Sequence, residues 1–329
     1  MWDFNLSEAF GAMARTAPFI ILRMVVYFGI SLLYILAVGI GGGIGYGLTS
    51  FGGGDGAGAL YGGLVGFAGV SGILYLGREY ILYLVKAGHI AVLVLVHDGH
   101  DIPGGMGQID YAAGIVKRKF AESSLLFALD QIIKGVLKTI TGILNTVATI
   151  LPIPGLRNLA QIISGILRMS VTYVDEIILA HNFHVNSDNP WETSRQSLVL
   201  YAQNYMVMIK NAAWLWFLMW ALTLVIFLLL AGPVFAVLAL FPGNIGFLSF
   251  VVAFIFAWSL KAALLEPLAI YALMQVYFKT IEGQVPDPEW DQRLEQASDR
   301  FRELTRRARD AFSGPKPAVH RTGRTGQER

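Results

Sequence analysis

A chain of 329 residues that is 55 % hydrophobic and only 15 % charged, with a mean hydropathy of +0.55, is too apolar for a soluble domain, where about a quarter of residues carry charge. The net charge of +2 gives no electrostatic argument for nucleic acid, and the lack of any cysteine excludes disulfides, thiolate metal sites and thiol nucleophiles. Apolar runs longer than the roughly 20 residues that cross a bilayer, without short segments of alternating polarity, predict an all-α polytopic membrane helix bundle.

Residues 1–17 form a polar, partly amphipathic lead-in expected in the cytosol. The apolar run after them is too long for the core of a signal peptide and reads as an uncleaved first span over residues 18–48, ending in GIGGGIGYG. Glycine at this density lets helices approach closely or the backbone bend. After the turn SFGGGDGAG, residues 59–97 contain no turn signal and as one helix would reach roughly 58 Å. Because Arg78 and Glu79 interrupt the apolar run, the expectation is a span over 59–77 continuing as a broken or tilted helix over 80–97. Further spans are predicted near 123–150, 158–180, 212–240 and 247–278, with turns at LPIPG and FPGNIG.

This makes about six spans in three hairpins, a bundle over residues 18–279. The connectors SFGGGDGAG, LPIPGLR and FPGNIG hold a single basic residue, Arg157, whereas the other side carries Arg15, Lys117, Arg118, Lys119, Arg195, Lys210 and an arginine-rich tail. The positive-inside rule then places both termini in the cytoplasm, beneath a plasma or inner membrane.

Residues 286–312 read as one amphipathic cytosolic helix, with Asp287 as N-cap and Pro288 at its first position. Trp290, Leu294, Ala297, Phe301 and Leu304 form its apolar stripe. That stripe docks on the protein's own loops, meets a protein partner through residues 287–312, or lies on the membrane surface. Residues 313–329, rich in Pro, Gly and basic side chains, are expected to be disordered.

Polar residues inside apolar helices mark candidate sites, since a charge at mid-bilayer costs at least a few kcal/mol unless paired or hydrated. Asp130, Lys134, Lys138, Thr141, Asn145 and Thr149 form one stripe; Arg157, Gln161, Ser164, Arg168, Thr172 and Asp175 form another across the LPIPG turn. The stripes face each other as a salt-bridge network, lie at the membrane interface, or line a solvated substrate path; Asp130 and Lys134 are a ready i,i+4 pair. In SLKAALLEPLAI, residues 259–270, Glu266 precedes a helix-weakening proline. Lys261 lies five residues before it, about 140° around an α-helix, too far round for a good pair. Tyr173, Trp258 and Tyr271 share these spans with Asp175, Glu176 and Glu266, and aromatic faces attract organic cations.

His97 with His100, and His181 with His184, are spaced for a transition metal. Such short pairs are frequent by chance, and no metal is assigned. No nucleotide, hydrolase or dinucleotide fingerprint is present, so no cofactor and no enzymatic step is expected.

HDGHDIP at residues 97–103, with His97, Asp101, Ile102 and Pro103, resembles the H-x-x-x-D-I-P that follows a span in the choline transporter-like family. TSRQSLVLYAQN at 193–204, including Arg195 and Asn204, is similar to a second motif of that family, and Glu266 stands where the family has an aspartate. The likeness covers roughly residues 80–280, corresponding to the family's C-terminal half; the family's large cysteine-bearing outer loop has no counterpart in this cysteine-free chain. It implies a transporter or permease for a small organic cation such as choline or ethanolamine. The path would run past Glu266, Asp175, Glu176, Asp130, Lys134, Arg168, Tyr173, Trp258 and Tyr271. The alternative is a non-transporting membrane scaffold or complex subunit that presents its C-terminal helix to a cytosolic partner.

Overall fold

The computed structural model describes residues 2–50, 57–119, 123–150, 171–240 and 246–313, and all regular structure among them is helical. In chain order the helices of the described residues are α1 (Leu6–Arg15), α2 (Ala17–Ser50), α3 (Ala57–His97), α4 (Gly107–Lys119), α5 (Ser123–Ile150), α6 (Val174–His184), α7 (Pro190–Gln203), α8 (Tyr205–Leu238), α9 (Gly246–Leu260), α10 (Glu266–Ile281), α11 (Pro288–Ala297) and α12 (Asp299–Ser313). A π-helical turn, Lys261–Leu265, joins α9 to α10 without a break.

Three helical runs are long and apolar enough to cross a membrane: Ala17–Ser50, Tyr205–Leu238 and Ser249–Ile281. The most apolar stretch of α8 has no buried residue. Its Trp220, Leu224, Leu228 and Leu229 are all more than half exposed, and an apolar surface of that extent calls for lipid. The 59–97 region is one unbroken helix, α3, with shorter apolar stretches at Ala57–Gly72 and Ile81–His97. Most of the predicted fourth span lies outside the described residues.

The glycine-rich end of α2 packs against the start of α3. Ala37, Gly41 and Gly45 face Gly66, Gly62 and Gly58, and a Cβ at any of these glycines would collide with the opposite backbone. This is close packing through small residues, the association that works where lipid tails remove the hydrophobic drive between helices.

Burial concentrates at the opposite ends of the long helices. Phe19, Ile20 and Arg23 of α2, residues 87–94 of α3, Met208 to Leu215 on one face of α8, and most of α10 are buried there, in one large core with a small cluster of Phe19, Val92 and Ala112 apart from it. The short helices α1, α4, α6 and α7 pack there, so among the described residues two paired runs, α2 with α3 and α8 with α9, rise from a densely packed base. Asn5 caps α1 by accepting from the Glu8 N–H at 3.2 Å, and its own N–H donates to Gln275 at 3.0 Å, tying the N-terminus to α10.

The tail differs from the predicted single helix. Asp287 caps α11 as expected, accepting from the Glu289 N–H at 2.8 Å. At Ser298 the backbone turns extended and the Ser298 hydroxyl accepts from the Phe301 N–H, starting α12. The bend lets Leu294, Phe301, Leu304 and Ala308 bury together against α7 and α5, while Ala297, which a straight helix would have put on that face, is exposed.

Candidate functional site

Where the paired runs meet the base, α2, α3, α5, α6 and the α9–α10 junction enclose a cavity of about 700 Å³. Its wall carries four carboxylates, Asp130, Asp175, Glu176 and Glu266, and two ammonium groups, Lys86 and Lys134. Tyr27, Tyr34, Phe67, Tyr83, Phe127 and Trp258 supply aromatic surface, and Ser31, Ser71 and Ser259 supply hydroxyls.

Each acid has a cation within reach. Lys134 Nζ lies 2.7 Å from Asp130 Oδ2 and 3.7 Å from Asp175 Oδ2. Lys86 Nζ lies 3.0 Å from Glu176 Oε1. Glu266 is held more loosely, with Arg23 at 3.5 Å and Lys261 at 3.9 Å. Lys261 also sits 4.7 Å from the centre of the Trp258 ring.

The Lys261–Glu266 pair corrects the angular expectation. Five residues apart on an α-helix point in different directions, but Lys261–Leu265 is a π turn, and the Glu266 N–H bonds the Lys261 carbonyl. In that i→i+5 register each turn takes up more residues, so residues five apart come closer to one face than on an α-helix. The next bond of the register would join residue 267 to the Ala262 carbonyl, and Pro267 has no N–H to give. Arg23, almost wholly buried on α2, donates to Ala262 O at 3.0 Å instead. Its Nε and Nη1 have no hydrogen-bond partner among the described residues.

Of the path residues named from sequence, Glu266, Asp175, Glu176, Asp130, Lys134 and Trp258 line this one cavity. Tyr173 is buried in the core, and Tyr271 lies towards the base with its hydroxyl donating to Glu8 at 3.1 Å; neither lines it. Arg168 lies outside the described residues, as do Arg157, Gln161 and Ser164. Lys134, Lys138 and Thr141 of one polar stripe share a smaller recess of about 250 Å³ with Thr172 and Asp175 of the other. Arg23, Lys86, Tyr27 and Tyr34 went unnamed in the sequence reading, although both cations stand out as charges within apolar runs.

The family-like motif residues do other work. Arg195 bridges Glu192 of its own helix and Asp291 of α11, fastening the tail. Asn204 joins α7 to the Gln284 side chain at 2.7 Å. Ile102 packs near Phe19 and Val92, while Asp101 and Pro103 are exposed. His97 and His184 approach one another around Asp98, whereas His100 is exposed. His181 is buried. Its Nδ1 lies 2.7 Å from the Ser197 hydroxyl, which donates onward to Thr193 O, so the imidazole is the donor there. Burial, reinforced by neighbouring His184, pushes its pKa down to about 4 and keeps it neutral.

Comparison with family models, curated proteins and solved structures finds no match to this chain.

Proposed function

We propose that the chain is an integral membrane permease for a small organic cation, choline- or ethanolamine-like, with no enzymatic step. Its six spans would run with both termini in the cytoplasm of a plasma or inner membrane. The observation that carries this reading is the cavity, whose wall has a lining of aromatic rings and a carboxylate, Glu266, held only by long contacts of 3.5 and 3.9 Å. A substrate cation needs both features: ring faces attract it through their quadrupoles, and a carboxylate neutralises it away from water.

Lys261 supports the reading from inside the molecule. Its ammonium rests on the Trp258 face and within 4 Å of Glu266, so an ammonium already fits between that ring and that acid. A free cation would compete for the same place, and the long Glu266 contacts leave the acid free to exchange partners. The scaffold alternative has less support, because the tail's apolar face is occupied by α7 and α5.

Purified protein in liposomes should bind or take up labelled choline or ethanolamine. Glu266→Gln keeps the side chain's shape and an acceptor for Arg23, so it should leave folding intact while weakening cation binding at least tenfold. Equal uptake of every tested cation by the parent and the Gln variant would overturn the role of Glu266. Absence of uptake and binding by the parent would overturn the permease.

A further inference from the structure

We infer that His97, Asp98 and His184, none of which lines the cavity, form a binding site for a divalent transition-metal ion of the zinc type. The sequence pairs histidines within a turn, His97 with His100 and His181 with His184. The fold discards both pairings and joins His97 to His184 instead, across the ends of α3 and α6. One ligand atom from each of His97, Asp98 and His184 falls within 4.8 Å of the others.

The geometry is that of converging ligands. His97 Nδ1 lies 3.0 Å from Asp98 Oδ1, and His184 Nδ1 lies 2.8 Å and 3.0 Å from the two Asp98 oxygens. An ion with bonds of roughly 2.0–2.2 Å to imidazole and carboxylate needs each histidine only a few tenths of an ångström further from Asp98, with the two imidazoles turned towards the same point. Binding would exchange the imidazole N–H bonds for metal bonds and leave an open coordination position. Two imidazoles and one carboxylate suit zinc and its neighbours better than magnesium or calcium, which prefer oxygen throughout.

The ligands are held in place independently of the ion. His97 and His184 each end a helix, and each helix is closed by a left-handed residue, Gly99 at φ +75° and Asn186 at φ +50°. The Phe278 ring stacks on His184 at 4.4 Å between centroids and meets His97 edge-on at 5.2 Å. Two helix C-termini converge here, and the partial negative charge of each favours a cation. Asp98 has ion pairs only with these two histidines among the described residues. A bound ion would therefore cross-link α3, which carries Lys86, to α6, which carries Asp175 and Glu176.

The test uses full-length protein freed of its affinity tag and treated with chelator. Titration with zinc alone should show one ion per chain bound at micromolar concentration, with the thermal midpoint rising by several degrees. Cobalt in its place should give visible d–d absorption with imidazole nitrogen among its ligands. Asp98→Asn and the double change His97→Gln with His184→Gln should abolish both signals while keeping the helical circular dichroism. His100→Gln should leave them intact. Zinc uptake by the parent no greater than by the double variant overturns the site, as does loss of binding on His100→Gln. If the double variant misfolds, Asp98→Asn decides: uptake unchanged from the parent overturns the proposal.

Discussion

Removing the guanidinium of Arg23 tests how much stability the π turn before Pro267 draws from it. Arg23→Ala would strip the Ala262 carbonyl of its donor and leave Glu266 with Lys261 alone. Breaking a buried pair from one side costs roughly 3–5 kcal/mol, so the denaturant midpoint of detergent-solubilised protein should fall markedly. Arg23→Lys should recover part of the loss, and an unchanged midpoint for the Ala variant would show that the contact carries no stability. Arg23 was visible in the sequence as a charge within IILRMVVYF, and Lys86 within LYLVKAGHI. They escape notice because charges near a span end usually reach out to the head groups. The π turn was not visible at all. A 140° separation presumes 3.6 residues per turn, and the register that cancels it is completed by a donor from a helix far away in sequence.

At the scale of elements, the docking of α11 and α12 depends on a titratable clamp. Burial opposes ionisation of Glu192, but hydrogen bonds and charge from Arg195, aided by Gln196 and Arg309, outweigh it and hold its carboxyl below the usual range. A depressed folded-state pKa contributes stability above the unfolded value of about 4.3, and that stability is lost as pH falls through the folded value. A fluorophore on Arg306→Cys, the chain's only thiol, should therefore keep high anisotropy at neutral pH and lose it on acidification below about pH 4. Glu192→Gln should flatten that response, and an anisotropy indifferent to acid in both proteins would show that apolar contacts alone hold the tail. The apolar spacing and the Asp287 cap were legible from the tail sequence. The break at Ser298 was not, because it answers to the curvature of the surface that α12 covers. For the same reason the stripes of residues 130–141 and 172–175 could be paired from sequence, while their contact with Lys86 and Glu176 needed the packing of α3 against α6.

At the scale of the whole molecule, Asp3 bonds Lys210, Trp2 meets Trp214 edge-on at 5.5 Å, and Trp290 lies 6.1 Å from Tyr205. All three contacts fall at the start of α8, so the described N-terminus and the tail share one end of the bundle. Single cysteines replacing Arg302 and Leu240 should accordingly react with impermeant reagents from opposite faces of the membrane, Leu240→Cys from outside. External labelling of Arg302→Cys in intact cells would reverse the orientation argued from the basic residues. Helical class and the course of the apolar runs were readable because apolar length is a local property, although α8 begins at Tyr205, seven residues before the expected start at 212. The base was less readable, since α6 and α7 are buried on most sides and show little amphipathic period, while α1 and α4 bury only a narrow face of small residues such as Ala9, Ala12 and Ala112. The glycine contact between α2 and α3 has one more consequence. Two backbones that touch with no side chains between them have no rotamers with which to yield, so this helix pair behaves as a stator. In the facing wall of the cavity the helix ladder is interrupted instead, by the π turn at Lys261–Leu265 and by Pro267, which has no N–H to give.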